Sequence, residues 1–87
     1  MGAWARTADG WAVNLDGTDA SRGFSLPRLE LHSGARGWTA LCHLPGGTTR
    51  ALSVGNASTT LQAQRAVVER AIAVLGDGYE AALRALL

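Results

Sequence analysis

Cys42 and His43 are adjacent, a thiol beside an imidazole, the pair from which a nucleophile or a thiolate–imidazole metal site is built. Both fall in an alternating stretch that reads as a strand, and neighbours on a strand point to opposite faces. Cys42 is therefore expected to face the core as a small buried apolar group, with His43 on the other side. His32 and His43 do share a face in the strand register argued below, with Glu30 between them. His32 lies opposite Thr39, four strand residues from His43, or about 13.5 Å. Two ligands on one ion need metal–nitrogen bonds of about 2.0–2.1 Å. No metal site is expected there.

Other chemistry is thin. The chain has no phosphate-cradling G-x-x-x-x-G-K, no dinucleotide G-x-G-x-x-G and no G-x-S-x-G elbow. The glycine pairs at 34 and 37 and at 46 and 47 lie between strands and do not lead into a helix, so they read as hairpin turns. The Gly55-Asn56 turn does precede a helix, a weak signal for an anion site. No two carboxylates are spaced for acid–base work. The reading is a non-enzymatic chain with no cofactor and no small-molecule substrate.

What must hold these residues is an antiparallel meander. Residues 3–15 read as a hairpin around Asp9-Gly10, the dipeptide of a type I′ turn. That turn pairs Ala8 with Trp11, Arg6 with Val13 and Trp4 with Leu15, so one face carries Trp4, Arg6, Ala8, Trp11, Val13 and Leu15. Residues 16–23 form a polar loop. Residues 28–33 follow as a strand with Pro27 at its start, Leu29 and Leu31 on one face and Arg28, Glu30 and His32 on the other. Pairing Ser33 with Trp38, Leu31 with Ala40 and Leu29 with Cys42 sets apolar against apolar. A three-residue loop, Pro45-Gly46-Gly47, then pairs Ala40 with Leu52 and Trp38 with Val54, and leaves Arg50 on the inner face near the rim.

After residue 56 the texture changes to Ala, Leu, Val and Arg. Thr59 and Gln62 have capping-box spacing. Leu61, Val68, Ile72 and Leu75 form a helical stripe with Val67, Ala71 and Val74 beside it, and Gly76 suits a left-handed cap. Asp77 is placed to cap a second, short helix whose sticky side is Tyr79, Ala82, Leu83, Leu86 and Leu87. The fold expected is α+β: a meander of four or five antiparallel strands, then one long and one short helix on a single face.

Composition agrees and narrows the class. Eighty-seven residues allow one domain. The eight positive charges are all Arg, against seven carboxylates, and a net charge of +1 argues against a dedicated nucleic-acid binder. No apolar run nears the ~20 residues that span a bilayer, and the first residues lack a secretory core. One cysteine excludes an internal disulfide. A reducing, cytoplasmic location and a small bacterial or phage accessory protein are the expectation. Of the 41 apolar residues, 16 are Ala, so the core is modest, and a chain this size reaches only about 3–5 kcal/mol from one core.

A mismatch of width then suggests a partner. Five strands at ~4.8 Å make a sheet ~20–24 Å wide, while a helix is ~10–12 Å across. The long helix covers about half of one face, and the most apolar remainder is the first hairpin. Trp4, Arg6, Trp11, Val13 and Leu15 are the expected contact surface for a second copy or another protein, in a scaffold, inhibitor or accessory role; the competing reading has the hairpin close its own core. Arg6 either stacks on an indole or lays its stem on apolar surface with its head in water. The alternative class is a nucleic-acid binder using the outer face and loops: Arg22, Arg28, His32, Arg36, His43 and Arg50.

Overall fold

The computed structural model describes residues 4–87, so the start of the expected hairpin at residue 3 lies outside the described residues, as does the side chain of Asp77. Five strands follow one another in a single antiparallel sheet of order β1-β2-β3-β4-β5: β1 (Ala5–Arg6), β2 (Gly10–Asn14), β3 (Arg28–Gly34), β4 (Gly37–His43) and β5 (Thr49–Leu52). Helix α1 (Thr60–Leu75), a 3-10 turn (Asp77–Tyr79) and helix α2 (Glu80–Arg84) complete the chain. The α+β meander with one long and one short helix is the fold the residue pattern implies.

The β3–β4 and β4–β5 registers follow apolar pairing. Leu29 faces Cys42, Leu31 faces Ala40 and Ser33 faces Trp38; Ala40 faces Leu52 and Cys42 faces Arg50. The loop at Pro45-Gly46-Gly47 has the expected three residues, closed by Leu44 N–H donating to Thr48 O at 2.7 Å.

The first hairpin departs from expectation by two residues. Ala5 pairs with Ala12 and Arg6 with Trp11, and Thr7 N–H donates to Gly10 O at 2.8 Å, so the turn is Ala8-Asp9. Gly10 is not a turn residue; it is the first residue of β2 and faces His32. Its glycine identity answers a different need. A Cβ there would stand 2.0 Å from the carbonyl oxygen of Leu31, so only glycine lets β2 lie this close to β3. A shift of two preserves side-chain alternation, and Arg6 and Trp11 still share a face.

That inner face carries the core. Val13, Leu15, Leu29, Leu31, Ala40 and Cys42 meet Ala63, Val67, Val68 and Ala71 of α1 and Leu83 of α2. Helix α1 starts where Thr59 Oγ1 accepts from Gln62 N–H at 3.1 Å, and it stops at Gly76, which has the positive φ, 73°, that suits glycine, but with ψ of −154° departs from the expected left-handed cap. The Gln62 side chain reaches one residue further than a capping box requires, accepting from Ser58 N–H at 2.8 Å. Leu61 was expected in the stripe but is 63% exposed. It sits seven residues from Val68 and so on the same side of the helix, but at the helix start, ahead of the core contacts made by Ala63, Val67 and Val68. Helix α1 lies over β3, β4 and β5, α2 packs against α1, and among the described residues no helix backbone lies against β1 or β2.

Candidate functional site

The first hairpin divides between core and surface. Val13 and Leu15 are buried in the chain's own core and offer no contact area. Trp4 and Trp11 are half-buried and pack against that core from its margin. Arg6 is exposed, with its guanidinium carbon 5.0 Å from the Trp11 ring centroid. Both readings of Arg6 hold at once: it stacks on the indole and its head reaches water.

An open cleft of about 410 Å³ lies beside this stack. Its walls are the Ala8-Asp9 turn and Gly10 on one side, Trp11, Trp38 and Ser33 across the sheet, and Thr60 at the start of α1. Trp38 is fixed there by its indole N–H, which donates to Ala57 O at 3.2 Å. The cleft is where β1 and β2 extend past the roof of α1. A second, more apolar hollow of about 250 Å³ marks the opposite end of β2, between Val13 and Leu15 and the side chains of Ala82 in α2 and of Ala85 and Leu86 just beyond it. Trp38 was not among the expected contact residues, although the register that paired it with Ser33 already put it on the face of Trp11.

The outer face is organised differently. The segment between β2 and β3 folds back over it, with Leu15 N–H donating to Pro27 O at 2.8 Å and a cis Leu26–Pro27 peptide. Within this segment the hydroxyls of Ser25 and Thr18 and the Thr18 amide hold the Asp16 carboxyl below its usual range. Beneath it Asn14 is fully buried; its amide donates to Thr18 Oγ1 at 3.0 Å and Gly23 O at 2.9 Å. Arg28 is 8% exposed. Its Nε donates to Glu30 Oε2 at 2.9 Å, and its Nη1 to Asn14 Oδ1, Gly23 O and Ala20 O at 3.1, 3.3 and 3.4 Å. Phe24, exposed itself, covers the group: the Arg28 guanidinium carbon lies 5.1 Å from its ring centroid, and the His43 ring meets it edge-on at 5.0 Å.

Glu30 is the centre of this cluster. His32 Nε2 lies 3.2 Å from its Oε1. His43 Nε2 lies 3.2 Å from the same oxygen, but off the line of a hydrogen bond, and it is buried with no other partner. His43 Nδ1 is 3.1 Å from Thr49 Oγ1. The two imidazoles thus meet at one carboxylate oxygen although their backbones are far apart, because both side chains lean inward along the strands. Separation along the strand alone overstated the distance between the rings. Burial pushes the Glu30 carboxyl up, but the contacts from His43, Arg28 and His32 outweigh it and hold the group below its ordinary value. Both carboxylate oxygens are engaged, so Glu30 serves as the counter-charge of a closed polar network. Among the described residues no three His, Cys, Asp or Glu side chains are arranged to hold a metal ion.

The residues of the nucleic-acid alternative are not brought to one surface. Arg28 is sealed. Arg22 lies in the loop between β2 and β3, 3.8 Å from Asp19. Arg36 is in the β3–β4 turn at the opposite end of the sheet. Arg50 pairs with Cys42 and so belongs to the inner face, while His32 and His43 are on the outer one. Cys42 is fully buried, and burial pushes its thiol up despite the nearby Arg50. It sits among core side chains. No helix among the described residues is long and apolar enough to cross a membrane. In comparisons with known proteins, no family model, no curated protein and no solved structure matches this chain.

Proposed function

We propose that this chain is a non-enzymatic protein-interaction module that self-associates through the aromatic end of its inner face, acting by scaffolding or by occluding a partner's surface. The observation that carries the reading is the open cleft between Trp11 and Trp38, flanked by Arg6, at the place where the sheet outruns its helical cover. Trp and Arg beside a partly desolvated hollow are the residue types that dominate contact energies. Tryptophans at the margin of a small core are also poorly spent on solvent, and a partner that covers them adds burial the chain lacks.

Sedimentation over a wide concentration range tests this. The native chain should show concentration-dependent association, and Trp11→Ala should weaken it by tenfold or more, on the order of the 2 kcal/mol at which an interface residue counts as a hot spot. Association should weaken only modestly with salt, since the Trp11 and Trp38 contacts are uncharged and only the exposed Arg6 and Asp9 are screened. A strict monomer at all concentrations, or a Trp11→Ala variant that is folded and associates unchanged, overturns the proposal. Steep weakening with salt, together with binding to nucleic acid, would instead favour phosphate contacts.

A further inference from the structure

We infer that the partner at the aromatic cleft is a second copy docked about a two-fold axis, with Leu61 of each chain entering the cleft of the other and Arg6 of each facing Asp9 of the other. The inference rests on the reading of the cleft as a contact surface and adds its geometry. A two-fold contact uses one patch twice, so that patch must carry both halves of every interaction. This one does.

The projecting half of the apolar contact is Leu61. It is 63% exposed and follows Thr60, itself part of the cleft wall. The receiving half is the space between Trp11 and Trp38. The charged halves are Arg6 and Asp9, which line the same cleft. Both are exposed, and among the described residues neither has an oppositely charged group within ion-pair distance. A half-turn that sets each Arg6 against the other copy's Asp9 and each Leu61 over the other copy's hollow is the arrangement this proposal requires. A stable interface covers about 800 Å² per partner, some 15% of this chain's 5206 Å².

Charge reversal provides the test. Arg6→Asp alone and Asp9→Arg alone should each weaken association by about tenfold or more, because each homodimer then holds two like-charge pairs. Mixed in equal amounts, the two variants should recover near-native association, since each mixed dimer holds two opposite-charge pairs. Leu61→Asp should weaken association without rescue by either variant. Thermal unfolding at low concentration checks that these exposed substitutions leave each chain folded. If neither reversal weakens association while Trp11→Ala does, the cleft remains the contact and the two-fold arrangement is wrong. If both reversals weaken it and mixing restores nothing, reciprocal pairing is likewise wrong. If the native chain does not associate at all, both readings fall together.

Discussion

Arg6 and Arg28 each hold a guanidinium over an aromatic ring, 5.0 Å from Trp11 and 5.1 Å from Phe24. There the likeness ends. Arg28 is buried and has an acceptor in Glu30, in Asn14 and in two backbone carbonyls. Arg6 is exposed and, among the described residues, has the indole alone. The two mark opposite fates of sheet surface that the helices do not reach. The outer face is polar and is closed by the chain's own loop, because Arg28 and Asn14 donate to that loop's Ala20 and Gly23 carbonyls and Thr18 hydroxyl. The inner face at the far end of β1–β2 carries Trp4, Trp11 and Arg6, and among the described residues no loop folds over it as one does over Arg28. Polar groups organised their own cover here; the tryptophans were left at the margin.

The largest test of this contrast is to remove each guanidinium in turn. Arg28→Met should cost about 3 kcal/mol, since it takes the cationic partner from half-buried Glu30 and an amide-oxygen donor from buried Asn14, while His32 and His43 stay on Glu30. That is comparable to the whole stability of a chain this small, so urea denaturation should show the variant largely unfolded. Arg6→Met should cost less than about 1 kcal/mol. Equal losses from the two variants would mean that the closed network is no more structural than the open stack.

How much of this was legible beforehand differs between the same two regions. The registers of β3–β4 and β4–β5 could be read because each pairs apolar residues across the strand, and pairing of that kind is local. The face of the first hairpin was legible for the same reason, but not its register. Asp9-Gly10 carried a strong turn signal, while the demand on Gly10 came from the Leu31 backbone, which lies far away in the sequence. Alternation puts Arg28 on the outer face, away from the helices. It became interior only because Phe24 and the Asn14–Gly23 contact fold a polar loop over it, and loop tertiary structure has no periodicity to read. Leu61 shows the converse error: a helical stripe gives the side of the helix but not where the sheet beneath it ends. Trp38 was placed on the right face and its role was missed, since the cleft depends on three separate segments.

A smaller perturbation acts on the open region alone. Gly10→Ala places a methyl group 2.0 Å from Leu31 O, and the backbone contact cannot relax by a side-chain rotation. β2 must draw away from β3, at a cost of roughly 1–3 kcal/mol, as for other overpacked sites. The turn that carries Asp9 would shift with it. Trp11 fluorescence should report greater solvent exposure and association should weaken, while backbone amides around Asn14 and Arg28 keep their protection from hydrogen exchange. Loss of protection in both regions together would show that the two ends of β2 are not separable.

The smallest effect sharpens the closed side. The Glu30 carboxyl is held below its ordinary value of 4.5 in the folded chain. A depressed acid contributes stability that is fully present above its unfolded value and is lost as pH falls through the folded one. The native chain should therefore weaken from about pH 4.5 downward, at the pH where the unfolded carboxylate begins to protonate. Asp16 and Asp19 are lowered too and act in the same direction, so the native profile alone does not isolate Glu30. Glu30→Gln does. It keeps the shape and removes the titration, so the stability difference between native and variant should be greatest at neutral pH and shrink on acidification, once both chains carry a neutral group. Denaturant midpoints across that range measure it. A difference that stays constant with pH would mean that Glu30 serves the network by shape and hydrogen bonding, and that the charge of Arg28 is balanced elsewhere in its cover.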